Sequence, residues 1–108
     1  MEVSITSKGI SINSRYREFI ETKIPAALRS IASITKTVKI MAGYEGNYYT
    51  LEAQLELSWR GTFIKANASG ADLRTALDTL CDKVNEQART VKGKMTDKDK
   101  GSIRNPEN

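Results

Sequence analysis

Within the stretch Tyr48–Trp59, YYTLEAQLELSW, the residues from Tyr49 onward alternate between apolar and polar. Tyr49, Leu51, Ala53, Leu55 and Leu57 fall on one side, and Thr50, Glu52, Gln54 and Glu56 on the other. Successive side chains of a strand point to opposite faces, so this pattern predicts a strand with one dry face and one wet face. A shift of one residue would carry every leucine into water, so its register is tightly specified. Such a strand cannot stand alone. The rest of the chain has to supply its edge partners and a cover for the apolar face.

Three other segments read as strands of the same kind. In EVSITS, Val3 and Ile5 point one way. In TKTVKIMAGY, Val38, Ile40 and Ala42 point inward. In TFIKANAS, Ile64, Ala66 and Ala68 do so, and their small size lets a helix lie close to the sheet. Gly9, the EGN at Glu45–Asn47 and Arg60-Gly61 are the expected turns.

Two segments switch to helical spacing. From Ser14 to about Ser33 the apolar residues are Tyr16, Phe19, Ile20, Ile24, Ala27, Leu28 and Ile31, with Asn13 or Ser14 as N-cap. Pro25 interrupts this stripe, which predicts a kink near Lys23 or two shorter helical pieces. The second stripe is Leu73, Ala76, Leu77, Leu80, Val84, Ala88 and Val91. Ser69-Gly70-Ala71-Asp72 before it has the form of a capping box, and Gly93 is the expected point of ending or fraying. From Thr96 onward there is almost nothing to bury.

The order is β-α-β-β-β-α. A helical crossover makes the first two strands parallel, and the remaining strands pair as antiparallel hairpins. One wet face per strand and one apolar stripe per helix predict an α+β two-layer sandwich, a four-stranded mixed sheet with two helices on one face. Residues 1–95 form the domain and residues 96–108 a disordered tail.

Chemistry is sparse. There is no histidine, which removes the usual general base near neutral pH and the commonest metal ligand. The lone Cys81 cannot form an internal disulfide or a zinc site, and points to a reduced, cytoplasmic setting. Asp78 and Asp82 beside it disfavour its thiolate. Asp72, Asp78 and Asp82 are the nearest thing to a carboxylate cluster, and their place early in a helix is where its dipole favours acids. GYEGN lies between strands and lacks the form of a phosphate loop. No apolar run is long enough to span a membrane, and the start of the chain lacks a signal peptide's layout. The expectation is a protein that is not an enzyme, with no cofactor, metal, membrane or small-molecule substrate.

The 108-residue chain carries 17 bases, 13 acids and a net charge of +4, and the charges are segregated. Residues 1–40 hold seven bases against three acids, residues 41–82 three against six, and residues 83–104 seven against three. The second helix starts acidic and ends basic. The helix dipole accounts for Asp72 and part of Arg89 and Lys92, but not for lysines continuing through Lys94, Lys98 and Lys100. The first helix adds Arg15, Arg17, Lys23 and Arg29. Two neighbouring helices with basic solvent faces predict one positive surface for a polyanion. Trp59 and Tyr48 either stack on bases or seal a core edge. Glu52 and Glu56 on the open sheet face would repel phosphate, so RNA is expected at the helices.

SITSKGISINSRYREFIETK and KANASGADLRTALDTLCDKVNEQARTVKGK resemble the ribosome hibernation promoting factor family, also called ribosome-associated inhibitor A or protein Y. The marks are REF at Arg17–Phe19, Lys23, A-x-G-x-D at Ala68–Asp72, ALD at Ala76–Asp78, Asp82-Lys83, and the basic helix end. The similarity runs over residues 1–95. It implies the same β-α-β-β-β-α fold and a protein that binds the small ribosomal subunit near the decoding region. Lodged in the mRNA–tRNA channel, such a protein blocks translation and preserves idle ribosomes under stress. Carried over by position, the ribosomal RNA contacts are Arg17, Lys23, Lys83, Arg89, Lys92 and Lys94; Arg29 joins them on charge and helix face. Where the family often has a lysine and later aromatics, this chain has Ala26, Ser30 and Ile31, with an unusual Pro25. The length matches the family's short form or its first domain alone, and a monomer is expected. Two other readings follow from the residues: a protein–protein regulator of transcription machinery working through Glu52 and Glu56, and a general double-stranded RNA-binding domain.

Overall fold

The computed structural model describes the backbone of residues 1–99 and the side chains of residues 1–95. Its elements are β1 (Glu2–Ser7), α1 (Ser14–Ala27), a 3₁₀ segment (Arg29–Ile34), β2 (Thr35–Glu45), β3 (Tyr48–Leu57), β4 (Phe63–Gly70) and α2 (Leu73–Asp99). The strands form one sheet in the order β1-β2-β3-β4. β1 runs parallel to β2, while β2–β3 and β3–β4 are antiparallel, with Ala53 opposite both Ala66 and Ile40. The expected α+β architecture is therefore the observed one.

Both hairpins turn through residues with positive φ. Gly46 (57°) and Asn47 (70°) join β2 to β3, and Arg60 (58°) and Gly61 (62°) join β3 to β4. Left-handed geometry at both central residues matches the twist of the strands.

One layer of core lies between the sheet and the helices. Val38, Ile40, Ala42, Leu51, Ala53, Leu55 and Leu57 meet Ile20, Ile24, Leu28 and Ile31 from the first helical stretch, and Ala76, Leu77, Leu80, Val84 and Ala88 from α2. The other sheet face is open to solvent. Gly70 lets the end of β4 lie close against the start of α2. A Cβ placed there would sit 2.8 Å from the Ala76 nitrogen and 3.1 Å from the Thr75 side chain.

Three expectations at the helices are corrected, and the interruption at Pro25 takes the second of its two expected forms. There is no kink near Lys23. α1 runs unbroken to Ala27, and the second alternative holds: two shorter pieces. Leu28 N–H is shared between the Ile24 and Pro25 carbonyls, both at 3.1 Å, and the chain then tightens to 3₁₀. Pro25 sits in the last turn of α1, where its missing N–H costs one hydrogen bond and permits the change of pitch. The tighter spiral keeps Leu28 and Ile31, three residues apart, on the core side. Ser69 and Gly70 are strand residues, so the capping box does not form. Asp72 alone caps α2, accepting from Thr75 N–H at 2.7 Å, while its carbonyl takes the first helical bond from Ala76 N–H. Gly93 does not end α2, because the helix passes through it into open space on that side and continues to Asp99. Residues 96–99, expected in the tail, are thus helical. The remainder of that stretch lies outside the described residues.

Candidate nucleic-acid interface

The two helices run side by side in the same direction. The Tyr16 hydroxyl donates to the Leu73 carbonyl near their starts, and Lys23 Nζ pairs with Asp78 Oδ1 at 3.3 Å one to two turns on. This follows from topology, since α1 returns antiparallel to β1 and α2 antiparallel to β4. Burial raises the Tyr16 phenol well above its ordinary range, with the charges of Asp72 and Asp78 adding to it. Tyr16 thus stays neutral, and its hydroxyl remains a donor.

The seven sequence-predicted bases all lie on the helical layer, but they do not form one ridge. Lys23 is in the groove between the helices, held by Asp78 and lying 5.2 Å from the Phe19 ring centroid. Arg29 is exposed at the start of the 3₁₀ segment. On α2, Cys81 and Asn85 line that groove with Thr22, Ala26 and Ala27 of α1. Helical spacing carries the same line on to Arg89 and Lys92. Lys83, over β4, and Lys94, eleven residues further on, share the other flank of α2.

Two of the seven have a structural task that sequence reasoning missed. Both outer strands of the sheet have carbonyls pointing away from their neighbours. On β4, Lys83 Nζ donates to the Asn67 carbonyl at 2.8 Å and Gln87 Nε2 to the Lys65 carbonyl at 2.9 Å. On β1, Arg17 Nη1 reaches the Ile5 carbonyl at a long 3.5 Å. Unpaired strand edges template association, and charged side chains laid along them prevent it. The view of Lys83 as simply solvent-facing is therefore corrected: its head is exposed but engaged with the sheet.

The electrostatics differ along α2. Asp72, Asp78, Asp82 and Glu86 occupy its first half, whereas Ala88–Met95 carries Arg89, Lys92 and Lys94 and no acid. The open sheet face presents Glu52 and Glu56, with Lys36 Nζ 3.5 Å from Glu56 Oε2. Trp59 is half-buried against the core with the Arg60 guanidinium 5.4 Å from its ring, so it seals the core edge. Tyr48 is 54% exposed and does not. Cys81 is half-buried, and burial, followed by Asp78 and Asp82, raises its thiol pKa against the opposing pull of Lys23. Among the described residues no group of three or more Cys, Asp or Glu could hold a metal ion. No described helix is long and apolar enough to cross a membrane.

Sequence reasoning counted Arg15 among the bases of the first helix but not among the RNA contacts, and it passed over Arg74. Each is the second residue of its helix, and the parallel arrangement of α1 and α2 brings both to one cleft with Asn13, Tyr16 and Phe19. A signal was present in the sequence. Cations in the first turn oppose the helix dipole, and this chain places one in the first turn of both helices.

The fold and surface define a class: a small two-layer α+β binding domain with a helical layer enriched in arginine and lysine. The chain belongs to the Sigma 54 modulation protein / S30EA ribosomal protein family, whose model matches residues 3–96. It is 30% identical over 101 residues to the ribosome hibernation promoting factor of Azotobacter vinelandii, covering 94% of this chain and 92% of that protein. It is also 30% identical over 95 residues to the protein of that name from Escherichia coli strain K12, covering 88% and 97%. Among solved structures it superposes on a ribosomal subunit interface protein from Coxiella burnetii (TM-score 0.75, 24% identity, 86% of this chain and 99% of that one). It superposes likewise on the Thermus thermophilus Protein Y N-terminal domain (TM-score 0.72, 20% identity, 84% and 99%). Both structures share the fold.

Proposed function

We propose that this chain binds the small ribosomal subunit through its ribosomal RNA, near the decoding region and the mRNA–tRNA channel, and holds idle ribosomes out of translation. It acts as a monomer in the cytoplasm, by occupying space rather than by catalysis. Family membership supports this reading, as do the relatives named ribosome hibernation promoting factors. The observation that carries it for this chain is the run of bases in the second half of α2, where Ala88–Met95 holds Arg89, Lys92 and Lys94 and no acid. RNA phosphates would meet Arg17, Lys23, Arg29, Lys83, Arg89, Lys92 and Lys94. Each phosphate neutralised releases counterions, so affinity falls steeply with salt.

Sedimentation of the protein with small ribosomal subunits across a salt series tests the reading. Co-sedimentation at low salt that declines steeply as salt rises is expected. No binding at low salt, or binding indifferent to salt, counts against it. Nuclease treatment before a pull-down adds a second check, because partners that survive it would point to protein–protein regulation instead.

A further inference from the structure

We infer that Arg15 and Arg74, with the Phe19 ring beside them, form a further RNA contact at the end of the helical layer where α1 and α2 begin. The inference rests on the ribosomal RNA reading above and extends the interface to residues outside the seven. The cleft has a volume of about 210 Å³ and is lined by Asn13, Arg15, Tyr16, Phe19 and Arg74. The Arg74 guanidinium lies 5.2 Å from the Phe19 ring centroid, and Lys23 Nζ lies at the same distance. Tyr16 packs on Phe19 with centroids 6.3 Å apart. The cleft therefore combines an aromatic wall with cationic groups, the pairing by which single-stranded nucleotides are held: phosphate on guanidinium, base on a ring or guanidinium plane.

The nearby acids offset only part of this charge, with Asp72 acting on Arg74. Asp78 is already paired with Lys23, and the Asp72 carboxylate accepts from Thr75 N–H. Arg15 has no hydrogen bond or ion pair with another described residue, and both arginine side chains are exposed. Holding two arginines in first turns is unfavourable for the helices themselves. An anion reverses the sign of that interaction.

The test compares the full chain with Arg15→Gln/Arg74→Gln and Arg15→Lys/Arg74→Lys in binding to small ribosomal subunits over a salt series, with thermal melts alongside. The glutamine pair is expected to weaken binding roughly tenfold and to reduce the salt slope by about 1–2, with melting unchanged. The lysine pair should restore the slope but only part of the affinity, because lysine lacks the planar fork that stacks and binds bidentately. If the glutamine pair fails to fold, Arg15→Gln alone decides the matter with an expected slope loss of about 1. Wild-type affinity and slope in the glutamine variant would overturn the inference and leave the proposed function standing. Absence of subunit binding by the unaltered chain would remove both.

Discussion

Asp72 shows how much one side chain decides at the junction of β4 and α2. Its carboxylate accepts from Thr75 N–H, which holds its pKa below the ordinary value, with the Arg74 charge a lesser contributor. A carboxylate with a depressed folded pKa contributes stability that is fully present above the unfolded value, near pH 4, and is lost as pH falls through the folded value. Asp72→Asn keeps an accepting oxygen without the titration. It should flatten the acid limb of a melting-temperature profile below about pH 4 while changing the neutral melting point little. Gly70 is required for another reason: the start of α2 passes within 2.8 Å of where its Cβ would be. Gly70→Ala should cost about 1–3 kcal/mol in denaturant unfolding, since the obstacle is backbone and cannot swing aside. Ser30 is the opposite case. Its buried hydroxyl has no hydrogen-bond partner, so Ser30→Ala should be neutral or stabilising by up to about 1 kcal/mol in the same measurement.

At the scale of elements, period decides type and polar detail decides ends. The alternation in β3 and the spacing of three and four in α2 were legible because burial on one face imposes them on any sequence. The ends were less so. Ser69 had the right chemistry for a cap, but the β3–β4 ladder carries the strand through Gly70 and leaves the cap to Asp72. Pro25 announced a break without fixing its position. Leu28 and Ile31 fixed it, through the need to stay on the core side. The roles of Lys83 and Gln87 were not legible at all, since both look like ordinary surface residues until α2 is laid over β4. Lys83→Glu sets a carboxylate against the Asn67 carbonyl and should open that strand edge. Increased concentration-dependent self-association in analytical ultracentrifugation is the expected result, whereas Lys83→Gln, which retains a donor, should sediment as the unaltered chain does.

For the whole molecule, the question is how a net charge of +4 becomes a directed surface. The open sheet face mixes Glu52 and Glu56 with Lys39 and Lys65, whereas α2 beyond Ala88 presents Arg89, Lys92 and Lys94 with no acid as far as Met95. Reversing Arg89 and Lys94 to Glu leaves the core untouched. It should flatten the salt slope of subunit binding by about 2 and leave the melting temperature within a degree or two. An equal change at Glu52 and Glu56, on the open face, should leave the slope as it was. The seven bases expected as one ridge are instead distributed across a groove and two flanks.

The sequence by itself determined the order of elements, the face each one buries, the parallel pairing of the first two strands and the family. All of these follow from hydrophobic periodicity, chain connectivity and residues at fixed spacing, which are properties of a line. Tertiary structure alone decided which cations serve the sheet edges and which meet solvent. It also brought Arg15 and Arg74, nearly sixty residues apart in sequence, to the same cleft. The reason is geometric: a charge acts through its distance to other charges, and those distances exist only once the two helices lie side by side on the sheet.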